Sequence, residues 1–158
     1  MPLRSAGILL IGSLIVALPV SAASDEEAIE QAILAEAKSA ALFAETRSKE
    51  AVLQLYTSDY GGIQDGEPET RETIERWLSD YEEELKKGST LHFIGAASNL
   101  TIRIAGPIAW ATYDYLFQAL RKGELEGQDA GKCTSLLRKE GSGWLIFHEH
   151  CSKNRPGR

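Results

Sequence analysis

The stretch Trp144-Leu145-Ile146-Phe147-His148-Glu149-His150-Cys151-Ser152 decides how the rest of the chain is read. Aromatic and branched residues recur in it with a period of two, the pattern of a half-buried β-strand. Regular alternation sends Trp144, Ile146, His148 and His150 to one face, and Leu145, Phe147, Glu149 and Cys151 to the other. Two of the three histidines then share a face, and Cys151 lies opposite them.

Upstream of this strand, Glu140-Gly141-Ser142-Gly143 is a hairpin turn, and Cys133 lies on the strand that enters it. A three-residue loop with Gly143 in the left-handed position centres the register on Ser142 and sets Cys133 directly across from Cys151. A two-residue turn at Gly141-Ser142 shifts the pairing by one and puts the two sulfurs on opposite faces. With the first register a Cys133–Cys151 disulfide is expected; the alternative is a pair of small buried thiols.

Earlier strands follow the same period. Leu100, Ile102 and Ile104 alternate with polar residues, Ala105-Gly106-Pro107 turns into a long run from Ile108 to Leu120, and a further strand spans about Gly131 to Lys139. The first half of the chain is helical. Ser24 and Glu27 form a capping box, and Ile29, Ile33, Ala37, Ala40 and Ala44 make a stripe that predicts one helix to about Thr46. Ser48 caps a second short helix, a short strand is expected around Gly61 to Gln64, and Gln64-Asp65-Gly66 signals a turn. Pro68 suits the first turn of a third helix whose stripe is Ile74, Trp77, Leu78, Tyr81 and Leu85, ending at Lys86-Lys87-Gly88. Helices followed by antiparallel strands predict an α+β domain with three N-terminal helices packed on one face of a curved sheet.

Residues 1–22 read as a signal peptide: Arg4, an apolar run from Ala6 to Val20, and the small-residue pattern Val20-Ser21-Ala22. The expected mature domain is 23–158, exported to the periplasm or secreted, where a disulfide persists. Lys and Arg number 17 against 23 Asp and Glu, giving a formal net charge of −6, more negative once Arg4 leaves with the leader. That balance argues against nucleic acid as a partner, and cleavage leaves no membrane anchor.

The three helices, the antiparallel strands and the terminal G-W-x-I-x-H-x-H-x-S pattern together resemble the nuclear transport factor 2-like superfamily, in its SnoaL-like branch. Leu55 to Tyr60, Gly106 to Tyr113 and Leu137 to Ser152 carry the likeness. His148-Glu149-His150-Cys151-Ser152 is especially similar to the association domain of calcium/calmodulin-dependent protein kinase II. The resemblance implies a cone-shaped sheet around a pocket and a homodimer formed through the sheet's outer surface. It implies no single activity, because this superfamily holds enzymes, binding modules and assembly domains. Two positively charged pocket residues of the kinase association domain correspond here to Tyr115 and Ser135, a departure that argues against binding a small carboxylate in the same way.

Candidate site residues follow from chemistry and face. His148 and Asp114 are the candidate proton carriers, and Trp77, Tyr81, Tyr113, Tyr115, His150 and Glu149 the candidate ligand contacts. His148, His150 and His92 are the three imidazoles a zinc site would need, but no metal and no cofactor is expected. The reading is an exported domain that binds a small, largely apolar molecule. The alternatives are an isomerase, cyclase or hydratase using a pocket His or Asp, and an assembly domain with a vestigial pocket.

Overall fold

The computed structural model describes residues 24–154; the signal peptide expected at residues 1–22 lies outside them. Ser24 Oγ accepts from Glu27 N at 3.2 Å while Glu27 Oε2 accepts from Ser24 N at 2.8 Å, and this reciprocal cap starts α1 (Asp25–Ala37). The single helix expected to about Thr46 is broken at Lys38 (φ −97°, ψ 7°), and α2 (Ser39–Thr46) resumes the path. The break lets both halves lie against the same curved strand. Arg47 in the left-handed conformation ends α2, and Ser48 caps α3 (Lys49–Leu53).

The turn at Asp65-Gly66 joins β1 (Tyr56–Gln64) to β2 (Glu67–Thr70) as an antiparallel hairpin. Both turn residues have positive φ, 54° and 94°, the two-residue geometry that Asp-Gly favours. Pro68, expected in the first turn of a helix, instead lies in β2 opposite Ile63. A proline is tolerated on an edge strand because its missing N–H faces away from the ladder. The helix begins three residues later: Thr70 caps α4 (Arg71–Lys86), with Thr73 returning the bond, and Leu78 and Tyr81 lie on its buried side.

The remaining strands are β3 (Leu91–Ala105), β4 (Ile108–Arg121), β5 (Glu124–Glu140) and β6 (Gly143–Lys153). They form the antiparallel meander, and β1 adds to β6 in parallel, giving one curved six-stranded sheet in the order β2-β1-β6-β5-β4-β3. The helices pack on its inner face over a core of Ile29, Ile33, Phe43, Leu78, Leu137 and Ile146, each fully buried. The architecture is the α+β arrangement expected, with four helices rather than three among the described residues.

One irregularity changes the reading of the terminal strand. The β5–β6 turn is the two-residue one, with Glu140 opposite Gly143 and Gly141 at φ 61°. Its register runs as far as Leu137 opposite Ile146; then Leu136 faces His148, so Phe147 is an extra residue in a β-bulge. The bulge has two consequences. It moves the later register by one, so Cys133 sits opposite Cys151 and the disulfide forms with Cα atoms 4.1 Å apart, although the expected three-residue loop is absent. It also switches the alternation: Trp144, Ile146, Glu149 and Cys151 are the buried set, while His148 and His150 face outward. The expected grouping of the histidines with Trp144 and Ile146 fails for this reason.

Candidate ligand-binding site

Glu149 is 6% exposed, on the concave face of the sheet. Ser135 stands directly across from it on β5, and Tyr113 reaches the same point from β4. The Tyr113 hydroxyl donates to Glu149 Oε1 at 2.7 Å and Ser135 Oγ donates to the same oxygen at 2.5 Å. The two hydroxyls lie 3.0 Å apart, so with both protons given to Oε1 neither donates to the other. Glu149 Oε2 has no hydrogen-bond partner among the described residues, and Glu149 borders a cavity of about 520 Å³.

Four further acids border this cavity, Glu36, Glu67, Glu69 and Asp129, and two of them accept from tyrosine hydroxyls. Glu36 comes from the last turn of α1 and accepts from the Tyr56 hydroxyl at 3.3 Å; Glu69 comes from β2 and accepts from the Tyr60 hydroxyl at 2.7 Å. None of Glu36, Glu69 and Glu149 has a Lys, Arg or His at ion-pair distance among the described residues. Burial pushes the Glu36 carboxyl well above the usual carboxylate range, and the neighbouring charges of Glu149 and Glu69 push the same way. Burial also raises Glu149, against the opposing pull of the Ser135 and Tyr113 hydroxyls. Burial, reinforced by the carboxylates, raises the phenols of Tyr56, Tyr60 and Tyr113, so these hydroxyls remain proton donors.

The aromatic part of the wall holds Trp77 from α4, with Tyr115 and Phe117 from β4. The Tyr115 hydroxyl is buried, with Gln64 near it and no hydrogen-bond partner among the described residues. Of the residues expected at the site, Trp77, Tyr113, Tyr115 and Glu149 border the cavity. Tyr81 does not: it packs between Phe43, Trp77 and Phe93 and donates to the Leu91 carbonyl at 3.1 Å.

The other three lie on the outer face of the sheet. His148 is anchored through Nδ1, 2.5 Å from the Gly61 carbonyl; since a carbonyl only accepts, Nδ1 carries the proton. His150 is exposed between Thr134 and Ile63. Asp114 pairs with Lys132 and accepts from Asn99 Nδ2 at 2.7 Å, and the Lys132 bond holds its carboxyl below the usual range. A proton carrier for a cavity ligand cannot work from the far side of the sheet. His92 is on β3, with Leu120 as its strand partner, and among the described residues no three His, Cys, Asp or Glu side chains are grouped as metal ligands.

Glu36 and Glu69 escaped the sequence reading. For Glu36 a signal existed: Ile29, Ile33, Glu36 and Ala40 share the helical spacing of a buried stripe, so an acid occupies a core-facing position. For Glu69, on a strand not foreseen, no comparable signal was present.

The raised carboxyls set the pH response of the fold. A group whose folded pKa exceeds its unfolded value binds its proton more tightly in the native state, so its contribution is fully present below the unfolded value near pH 4. It is lost as pH rises through the folded value. Glu36→Gln is therefore expected to be more stable than the parent at pH 8, where the buried carboxyl must either ionise or hold its proton against the solvent. The difference should vanish near pH 4. Urea unfolding at a series of pH values checks this, and a pH-independent difference would contradict it.

A curved sheet closed by helices over an interior cavity, with the polar groups at its floor, defines a cone-shaped α+β domain of the nuclear transport factor 2-like type. The chain belongs to the SnoaL-like domain family, whose model matches residues 33–156. No curated protein matches it significantly. Solved structures agree in fold. A protein of unknown function from Mycobacterium tuberculosis is 14% identical, with TM-score 0.67 over 84% of this chain and 77% of that one. A nuclear transport factor 2-like protein of unknown function from Prochlorococcus marinus is 18% identical, with TM-score 0.64 over 85% and 97%. A protein from Exiguobacterium sibiricum, provisionally named a calcium/calmodulin-dependent kinase II association domain, is 14% identical, with TM-score 0.62 over 88% and 100%.

Proposed function

We propose that this is an exported homodimer that binds a small organic molecule in the cavity lined by Glu149, Tyr113, Tyr115 and Trp77. The carrying observation is the buried Glu149 carboxylate with one oxygen bonded and the other free beside about 520 Å³ of space. That volume is within the range of small-molecule sites, and aromatic walls with a few convergent polar groups are their usual construction. The disulfide supports an oxidising destination. The outer sheet face, where Trp110 is 40% and Ile63 38% exposed, supplies apolar surface for a second copy.

Native mass spectrometry of protein purified without added ligand tests both parts. The expected spectrum has a species of two chains, each able to carry an extra small-molecule mass that is lost on denaturation. A bare dimer that also fails to bind any member of a thermal-shift library would favour the assembly reading instead.

A second reading is favoured by the upward direction in which burial moves the Glu36 and Glu149 carboxyls, the direction a carboxyl needs for acid–base catalysis near neutral pH. On this reading the proton carrier of an isomerase, cyclase or hydratase is Glu149 or Glu36, not His148 or Asp114. It requires turnover of a bound compound that Glu149→Gln abolishes.

A further inference from the structure

We propose that the cavity selects an organic cation, a protonated amine carried on a flat or compact apolar body, and that the ammonium seats against the free oxygen of Glu149. The proposal rests on the binding reading above and names its ligand class. Among the described residues five carboxylates border the cavity (Glu36, Glu67, Glu69, Asp129 and Glu149), and no Lys, Arg or His does. Asp129 is neutralised by Lys153 at 3.1 Å, but Glu36, Glu69 and Glu149 have no cation at ion-pair distance among the described residues. Arg71 is already committed, donating to the carbonyls of Leu53 and Tyr56 at 2.5 and 2.9 Å.

A buried acid left unpaired is costly, so a site in which buried Glu149 is joined by the half-buried Glu36 and Glu69 is built for a positive charge supplied from outside or for protons that stand in for it. A carboxylate ligand would add a fourth negative charge. The aromatic groups complete the fit: Trp77, Tyr113 and Tyr115 line the cavity, and aromatic rings attract a cation as well as an apolar body.

Burial raises the Glu36 and Glu149 carboxyls, so protons compete with a cationic ligand for them. Groups facing Glu149 are Tyr113 from β4, Ser135 from β5, Glu36 from α1 and Glu69 from β2, with His148 adjacent on its own strand; Tyr56 and the same acids face Glu36. Where such a proton is bound, an entering ammonium displaces it to solvent, and the ion pair R–NH3+···−OOC replaces the neutral acid. Binding should therefore release protons and strengthen as pH rises from 5 to 8.

Titration calorimetry of the disulfide-bonded protein with shape-matched probes tests this: phenethylamine, 2-phenylethanol and phenylacetate, then the larger set tryptamine, tryptophol and indole-3-acetate. In at least one set the amine is expected to bind at least tenfold more tightly than the alcohol, with the acid weakest. Amine heats should vary with buffer ionisation enthalpy, reporting proton release. In Glu149→Gln the amine-to-alcohol ratio should fall at least tenfold. Alcohols binding as tightly as amines, or amine binding without proton release, would overturn the cation assignment and leave the cavity reading standing. If no probe of either set binds at millimolar concentration, the binding reading itself fails.

Discussion

Gly95→Ala is expected to lower the thermal midpoint by roughly 10 °C, a loss of about 3 kcal/mol at a few degrees per kcal/mol for a domain of this size. Gly95 lies on β3 opposite Phe117, where α1 ends. A Cβ at this position would sit 1.7 Å from the Ala37 carbonyl oxygen and 2.9 Å from its carbon. Those are backbone atoms at the break between α1 and α2, so relief requires moving a helix end rather than rotating a side chain. Glu36 precedes Ala37, so the same movement would displace a cavity acid and is expected to weaken ligand binding beyond the loss of stability. Gly127→Ala is the control: its Cβ would meet nothing within 4 Å, and the expected change is within about 0.5 kcal/mol. Thermal denaturation of both variants decides it, and a Gly95→Ala midpoint within 2 °C of the control would mean that the helix end yields freely.

The elements that were legible in the sequence are those whose signal is local. The cap at Ser24, the stripe from Ile74 to Leu85 and the alternation from Ile108 to Leu120 depend on neighbours a turn or two away, and each produced the expected element. What failed depends on contacts far along the chain. The break at Lys38 belongs to the meeting of α1 and α2 with β3, and Pro68 reads as a helix start until β1 is present to pair with it. The terminal strand failed through a single residue. Alternation assumes a regular ladder, and the Phe147 bulge inverts every later side chain, which exchanged the expected places of Glu149 and the histidines. Glu149 was nevertheless within reach as a site residue because it shares a face with Cys151, and the disulfide fixes that face toward the interior.

The largest remaining effect concerns that disulfide. Replacing both cysteines, Cys133→Ala with Cys151→Ala, is expected to cost about 3 kcal/mol, the loop-closure entropy of a chain cross-linked over a separation of 18 residues. The native hairpin should survive, because Cys133 and Cys151 are opposed in a ladder that continues on both sides, from Gly131 opposite Lys153 to Glu140 opposite Gly143. The loss therefore falls on the unfolded state, which gains freedom, and two measurements separate this from damage to the fold. Dithiothreitol should lower the midpoint of the parent by roughly 10 °C and leave the double variant unchanged. The far-ultraviolet circular dichroism of the double variant at 20 °C should match the parent. A parent midpoint that reductant moves by less than 2 °C would show that the bulge and the ladder alone hold the register. In that case the cysteines contribute to the cavity wall, where both sulfur-bearing residues border the ligand space, rather than to stability. The inner-face pair next along the ladder is Ser135 opposite Glu149, so amine affinity in the reduced parent reports whether the staple also holds the cavity floor. An unchanged affinity would place that task on the Phe147 bulge and the hydroxyls of Tyr113 and Ser135.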